Sequence, residues 1–393
     1  MKSSGLPTVP VLVALSALMP LGMHVVLPAI PAMAADLNAS IATMQMTVTL
    51  YMVAVALAQI VYGPMSDRYG RKPPLLVGLG IFLAGSIICA IAPTSGVLLV
   101  GRIIQGAGSC VGMVLGRAMV RDVYPPERSV NIMAYVAMAL MVVPGLVPMF
   151  SGLLVASIGW RLPLLLTGVG ALALFWVASR LDETNHARIA LPSPLAIVKD
   201  FARLLRMPAF IVPAMGVALP NGGFWAFVAA VPALLTDRYQ IPVSHYGFYF
   251  VILPTCWCIG SFAGTRLMPR VGEGRLVMAG VAAVAVLALL MLAWEGALPV
   301  PALGLFVMVG LMHIAQALAV PALQVQALSA DPRMIGAASG LLGFLQMAAG
   351  AAATLIVGQF YDRTAMPSAA VLASTSVLAL ALLLWRRRRS RIS

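Results

Sequence analysis

Charge is what this sequence has least of. Only 9% of its 393 residues are Asp, Glu, Lys or Arg, and just 12 are acidic. A soluble chain carries about a quarter charged residues, so an ordinary water-facing surface is excluded. At 61% hydrophobic residues the chain holds more apolar surface than a soluble core of this size can hide, and most of it must meet lipid. Cysteine is scarce as well. Cys89, Cys110, Cys256 and Cys258 all lie in apolar stretches, without metal-ligand spacing or a paired extracellular framework, and read as helix-packing residues. No H-E-x-x-H, G-x-S-x-G or Asp-rich pair occurs, which argues against a membrane enzyme, and nothing calls for a cofactor or a metal. A net charge of +13 would suggest a nucleic-acid partner in a soluble protein. Here the basic residues sit in short connectors and at the C-terminus, which is a topology pattern and not a nucleic-acid surface.

What is present is a succession of apolar runs. A membrane helix needs about 20 mostly apolar residues and must satisfy its own backbone hydrogen bonds. Division at charge clusters and Pro/Gly breaks gives twelve spans, near 9–31, 42–64, 75–93, 97–119, 129–156, 162–180, 209–234, 245–265, 275–294, 301–325, 334–358 and 369–385. Ala32-Met33-Ala34 resembles a signal-peptide cleavage site, but the apolar stretch before it begins near Thr8 and outruns a secretory signal, so it reads as span 1. The predicted architecture is an all-α membrane protein: a six-helix bundle over 1–180, a connector over 181–208, a second bundle over 209–385 and a basic tail over 386–393. Leu195 to Leu205 in the connector has the spacing of a short interfacial helix.

Placing both termini in the cytoplasm puts 20 of the 25 lysines and arginines on the inner side and three outside, with Arg102 and Arg117 inside span 4. That bias predicts the orientation. The halves also echo one another: SGLLVASIGWR (151–161) with ATLIVGQFYDR (353–363), and RYGRK (68–72) with RVGEGR (270–275). Two parallel six-span repeats are the architecture of a rocking transporter.

Between spans 2 and 3 lies GPMSDRYGRKPP, residues 63–74, with four charges. Gly63 and Gly70 read as permissive points of a tight reversal, and Pro73-Pro74 as a rigid entry to span 3. Arg68, Arg71 and Lys72 suit any inner loop. Asp67 does not, because a carboxylate at a helix C-terminus opposes the helix dipole and needs a positive partner. Arg71, Arg121 or the N-terminus of span 11 are the candidates.

This stretch resembles the loop 2–3 signature of the major facilitator superfamily, G-x-x-x-D-R-x-G-R-[RK]. GRIIQGAGSCVG (101–112) is similar to the R-x-x-Q-G span 4 signature of its proton-driven drug antiporters, through Arg102, Gln105 and Gly106. VVPGLVPMFSGLL (142–154) resembles a variant of their span 5 signature, through Pro144, Gly145, Pro148 and Gly152, with Met149-Phe150-Ser151 where a Gly-rich ending is usual. With LPAIPAMAADLNAS (27–40) and RDVYP (121–125), the N-terminal half resembles the bicyclomycin and chloramphenicol resistance branch. The resemblance implies a twelve-span exporter in a bacterial inner membrane, exchanging protons for small lipophilic drugs. A monomer is expected. A metabolite exporter or uncoupled facilitator is the alternative.

The branch often carries an acid in span 1, in a Met-Asp-x-Tyr-Leu-Pro pattern; this chain has Met23-His24-Val25-Val26-Leu27-Pro28. All twelve acids fall in connectors or at span edges, which disfavours permanently cationic substrates. The resemblance links Arg102 to proton coupling, as a fixed charge that should face a wet or polar cavity. His24 stands in the acid's place as a proton site, with Asp36 as fallback. GAGSCVG (106–112) lacks the strand and Lys-Ser/Thr of a phosphate loop and reads as close helix packing. Candidate cavity residues are His24, Tyr51, Trp225, Tyr249, Trp257 and His313, since amphipathic rings suit flat organic ligands.

Overall fold

The computed structural model describes residues 5–185, 194–298, 300–331 and 334–389. Arg188 of the connector, Arg333 and the tail beyond Arg389 lie outside them. Among the described residues eleven helices are long and apolar enough to cross a membrane, and Val142–Ser157 is a shorter apolar helix. It is the second half of Pro126–Ser157, which supplies the remaining member of a twelve-helix fold. The chain forms two compact units, Met1–Ser193 and Pro194–Ser393.

In the first unit spans 1 to 6 run Val9–Asp36, Ile41–Tyr69, Lys72–Ala90, Ser95–Val123, Pro126–Ser157 and Arg161–Ser179. Span 1 packs on span 5, span 2 on span 4, and span 3 on both span 4 and span 6. In the second unit a connector helix, Pro194–Leu205, precedes spans 7 to 12 at Pro208–Arg238, Val243–Val271, Glu273–Ala297, Ala302–Leu328, Ile335–Gln359 and Met366–Arg388. Span 7 packs on span 11, span 8 on span 10, and span 9 on both span 10 and span 12. Each pairing of the first unit thus recurs six spans later, which is the parallel repeat the sequence echoes suggested.

Small residues set the distance between helices. A Cβ on Gly106 would lie 2.6 Å from the Tyr51 carbonyl oxygen, one on Gly108 2.3 Å from the Phe82 nitrogen, and one on Gly112 2.0 Å from the Leu15 carbonyl oxygen. The GAGSCVG stretch is therefore helix packing. Cys89 and Cys110 are buried in the same way, Cys256 is half-buried and Cys258 is exposed. The connector helix is amphipathic as expected: Leu204 is buried against the second unit's core beside Phe210 and Leu323, while Leu195 and Val198 are exposed.

One expectation needs correction. The loop 2–3 signature is mostly helix, since span 2 continues through Ser66, Asp67 and Arg68 to Tyr69. The reversal happens at Gly70, with φ +95, so Gly63 is an ordinary helical residue. The acids stand at span edges as expected: Asp36, Asp67, Asp122, Asp237 and Glu295 each lie within the last three residues of a spanning helix.

Span 1 is not one continuous helix. It runs as an α-helix over Val9–His24, a single 3-10 turn over Leu27–Ala29 and a second α-helix over Ile30–Asp36. Pro28 has no N–H to offer the carbonyl four residues back, so the ladder opens there. In a membrane the freed carbonyls must find other donors.

Candidate functional site

Those donors come from spans 4 and 5. The Arg102 guanidinium is fully buried and donates through Nη1 to the Gly22 carbonyl at 2.9 Å and through Nε to the Thr47 carbonyl at 3.0 Å. Ser151 donates to the Val25 carbonyl at 2.6 Å. Nη1 also donates to Gln105 Oε1, and Gln105 Nε2 reaches Ser86 at 2.8 Å and Thr167 at 3.2 Å. Arg102 and Gln105, three residues apart on one helix face, thereby join spans 1, 2, 3, 4 and 6 in one buried polar network. The guanidinium stands over the Tyr51 ring, 4.2 Å from its centroid, and the Tyr51 hydroxyl donates to the Met19 carbonyl at 2.9 Å.

Arg102 therefore sits in a buried polar cradle of carbonyls, the Gln105 amide and one aromatic face. Among the described residues nothing accepts from its Nη2. Tyr51 is fully buried within this cradle, so it lines no open surface. Gly106 belongs here too, because its missing side chain lets span 4 lie against the Tyr51 backbone. His24 is 4% exposed, and its Nδ1 lies 2.8 Å from the Pro20 carbonyl one turn back, which only a protonated Nδ1 can satisfy. Asp36 lies away from the cradle at the far end of span 1, where it accepts from Arg161 at 2.7 Å and from the Trp160 indole at 3.1 Å. Of the span 5 motif, Gly145, Pro148 and Gly152 are buried and Pro144 is half-buried.

The charge cluster at the span 2–3 turn forms a second site, with Arg71 at its centre. Arg71 is 5% exposed. Its side chain binds Asp67 at 2.5 Å, Asp122 at 2.8 Å and Ser66 at 2.8 Å. Asp67 thus has the partner expected of it, but Arg121 is not the second member; its neighbour Asp122 is. Glu183, at the start of the connector, closes the cluster from the other side, accepting from the Arg71 amide at 2.7 Å and the Lys72 amide at 3.1 Å. Asn185 donates to the carbonyls of Ser66 and Asp67 at 3.2 and 3.3 Å. These contacts satisfy the open N-terminus of span 3, where a carboxylate also meets the positive end of the helix dipole.

Burial alone would pull the Arg71 guanidinium down, but the Asp122 and Asp67 carboxylates outweigh it and hold the proton more firmly than usual. Burial likewise pushes Glu183 up, and the amides of Asn185, Arg71, Lys72 and Thr184 overcome it to leave the carboxyl below its ordinary value. Arg71 is therefore structural, in keeping with its place among the expected partners of Asp67, and not only an inner-loop charge. Arg68 is exposed over the Tyr69 ring and Lys72 contributes only its backbone, so these two fit the topological reading. Sequence reasoning missed Asp122 and Glu183 as members; the one available signal was that both are acids beside inner-loop arginines.

In the second unit the aromatic candidates divide. Phe224, Trp257 and His313 meet, with ring centroids 4.5 Å from Phe224 to His313 and 6.0 Å from Trp257 to His313. Trp225 is 5.5 Å from Phe224. Tyr249 stands apart, packed on Phe306 at 5.2 Å. The reasoning also missed Glu295, whose side chain is 3% exposed and paired with Arg238, and which accepts from the Val300 and Ala365 amides at 3.1 and 3.3 Å.

A broken, carbonyl-exposing first helix and two repeats of six spans define a membrane transporter fold, and the comparisons agree. Residues 12–354 match the Major Facilitator Superfamily. The chain belongs to that superfamily and is a multi-pass membrane transporter, not an enzyme. It is 27% identical over 359 residues to a bicyclomycin resistance protein homolog of Haemophilus influenzae, covering 90% of this chain and 89% of the relative. It is 28% identical over 266 residues to a chloramphenicol resistance protein of Pseudomonas aeruginosa, covering 66% and 62%. Both names belong to the branch that the N-terminal motifs resemble. The crystal structure of a D-xylose-proton symporter superposes with a TM-score of 0.74 at 14% identity, covering 95% of this chain and 96% of that one, a likeness of fold.

Proposed function

We propose that the chain is a secondary active exporter in a bacterial inner membrane, with both termini cytoplasmic, that exchanges protons for small lipophilic drugs of neutral or weakly charged, phenicol-like character. It works as a monomer in which the bundles 1–180 and 209–385 rock about the bound substrate. The observation that carries the proposal is the buried Arg102 cradle. A permanent cation whose Nη2 has no acceptor among the described residues, held on the opened turn of span 1, biases proton affinity around that turn, where His24 lies. The names of the resistance relatives support drugs as the cargo. Asp67 and Arg71 act as the latch of the span 2–3 turn, and Asp67→Asn should leave a folded, inserted protein with severely reduced transport.

An efflux-deficient host carrying the gene should gain resistance to a neutral lipophilic antibiotic such as a phenicol, and a proton uncoupler should erase it. In liposomes Arg102→Ala should keep substrate binding and lose its response to a pH gradient. Arg102→Lys should rescue poorly, because a lysine can shed its proton and cannot span three acceptors. Resistance to nothing on the panel would sink the drug reading. A second reading, an uncoupled facilitator or exporter of a small metabolite, is favoured by the ties of His24 to Pro20 and of Asp36 to Arg161. Resistance that survives the uncoupler would select it.

A further inference from the structure

Spans 7, 8 and 10 bring an aromatic and a polar set together within the second unit. His313 on span 10 is 7% exposed, and its Nδ1 lies 3.0 Å from the Val309 carbonyl one turn back. A carbonyl can only accept, so Nδ1 carries the proton and Nε2 of the neutral ring is an acceptor. Among the described residues nothing donates to Nε2, yet it is not among the sealed, unpartnered atoms of the interior. It is an open acceptor on a buried side chain. Phe224 and Trp257 meet the imidazole at 68° and 67°, close to edge-on.

Three residues along the same helix face stands Gln316, 6% exposed. Its amide Nε2 reaches the Pro220 carbonyl at 3.5 Å, which leaves Oε1 as a second acceptor. The hydrogen bonds and ring contacts of Phe224, Trp257, His313 and Gln316 involve no charged side chain. Aromatic walls therefore frame acceptors without charge. Such a site gains from a flat ligand that brings a donor, and it penalises one that buries the acceptors unpaired.

We propose that Phe224, Trp257, His313 and Gln316 form a binding subsite for a neutral, flat molecule carrying an O–H or N–H donor at its ring edge, received by His313 Nε2. The proposal rests on the exporter reading above and narrows its cargo. Binding needs no gradient, so it is tested apart from transport. The probes are 1-naphthol and 1-methoxynaphthalene, which differ in one donor, titrated at pH 7 into the protein in lipid nanodiscs with empty discs subtracted.

The parent should bind 1-naphthol about tenfold more tightly than the ether. His313→Phe should bring the two within about twofold while binding the ether as the parent does, which shows the ring walls intact. Phe224→Leu should weaken both probes alike, by about fivefold. Independently of any variant, the Nε2 resonance of His313 in the 15N-histidine-labelled parent should shift with 1-naphthol and stay with the ether. No preference in the parent, an undiminished preference in His313→Phe, no binding above empty discs or an unmoved Nε2 resonance would each overturn the subsite. A protein that binds the pair as stated but confers no resistance would instead overturn the exporter reading and leave the subsite standing.

Discussion

The span 2–3 turn of the first unit and the span 8–9 turn of the second are the same backbone device in different chemical settings. Both reverse at a glycine with positive φ, Gly70 at +95 and Gly272 at +87. At the first, Gly70 is buried against the Glu183 carboxylate and the Arg71 cluster. At the second, a Cβ on Gly272 would meet open space, and Arg270, Glu273 and Arg275 are all exposed. There Glu273 keeps one bond, from Gln326 at 2.8 Å, and Gln326 in turn accepts from Arg386 at 3.3 Å. Positive residues near an inner turn would satisfy topology in both units. The first has gathered them around a buried Arg71 bonded to Ser66, Asp67 and Asp122, an arrangement that orientation alone does not require.

The second unit has its own buried ion pair, at the opposite end of its helices from its span 8–9 turn. Arg238 and Glu295 have side chains 16% and 3% exposed, whereas Asp36 and Arg161 in the first unit are 47% and 46% exposed. The first unit thus has its buried arginine at the span 2–3 turn and a half-exposed pair at the other end, whereas the second has its buried pair at the end away from its span 8–9 turn.

The largest test removes one side of each buried pair. Glu295→Ala strands a buried Arg238 and should cost about 3–5 kcal/mol of stability, whereas Asp36→Ala should cost under about 1 kcal/mol. Thermal unfolding in detergent reads both, and equal losses would break the contrast. Next, Arg71→Ala should cost about 3 kcal/mol by leaving Asp122 unpaired, and Arg71→Lys should recover less than half, since an ammonium cannot fork to Ser66, Asp67 and Asp122. Arg270→Ala at the counterpart turn should be close to neutral.

Glycine substitution sharpens the comparison on a smaller scale. Gly272→Ala meets only backbone strain, about 1–3 kcal/mol. Gly70→Ala meets similar strain plus a Cβ 2.3 Å from Glu183 Oε2, so it should be the more damaging of the two by unfolding temperature. The smallest effect is a pH dependence. Because the folded structure holds Glu183 below its usual value near 4.5, its contribution is complete above that pH and fades as pH falls through the lowered value. Stability measured from pH 7 downwards should show this loss in the parent and not in Glu183→Gln.

Much of the fold was legible in the sequence because lipid makes the rule local. A spanning backbone must bond to itself, so hydropathy and breaks at Pro and Gly located the helices without any knowledge of neighbours. The close-packing role of GAGSCVG and the Arg102–Gln105 pair on one helix face were legible for the same reason, since helical periodicity is local. Helix ends were less so: Asp67 and Arg68 looked like loop residues because charges were used as boundaries, yet a helix can extend past the apolar core and keep its charges on its last turn.

Sequence alone determined the class of protein, the repeat and the residues able to carry charge, and it offered Gly63 and Gly70 for the reversal, of which the structure uses Gly70. The tertiary structure decided which charges meet. Near Arg71 in sequence stands one acid, Asp67, but its further partners Asp122 and Glu183 stand 51 and 112 residues away. It also decided that Arg102 and Ser151 take the carbonyls of span 1's break, and that Glu295 is buried while Asp36 is not. The physical reason is that hydropathy acts along one helix, whereas pairing depends on which helices touch and at what height, and no single span encodes that.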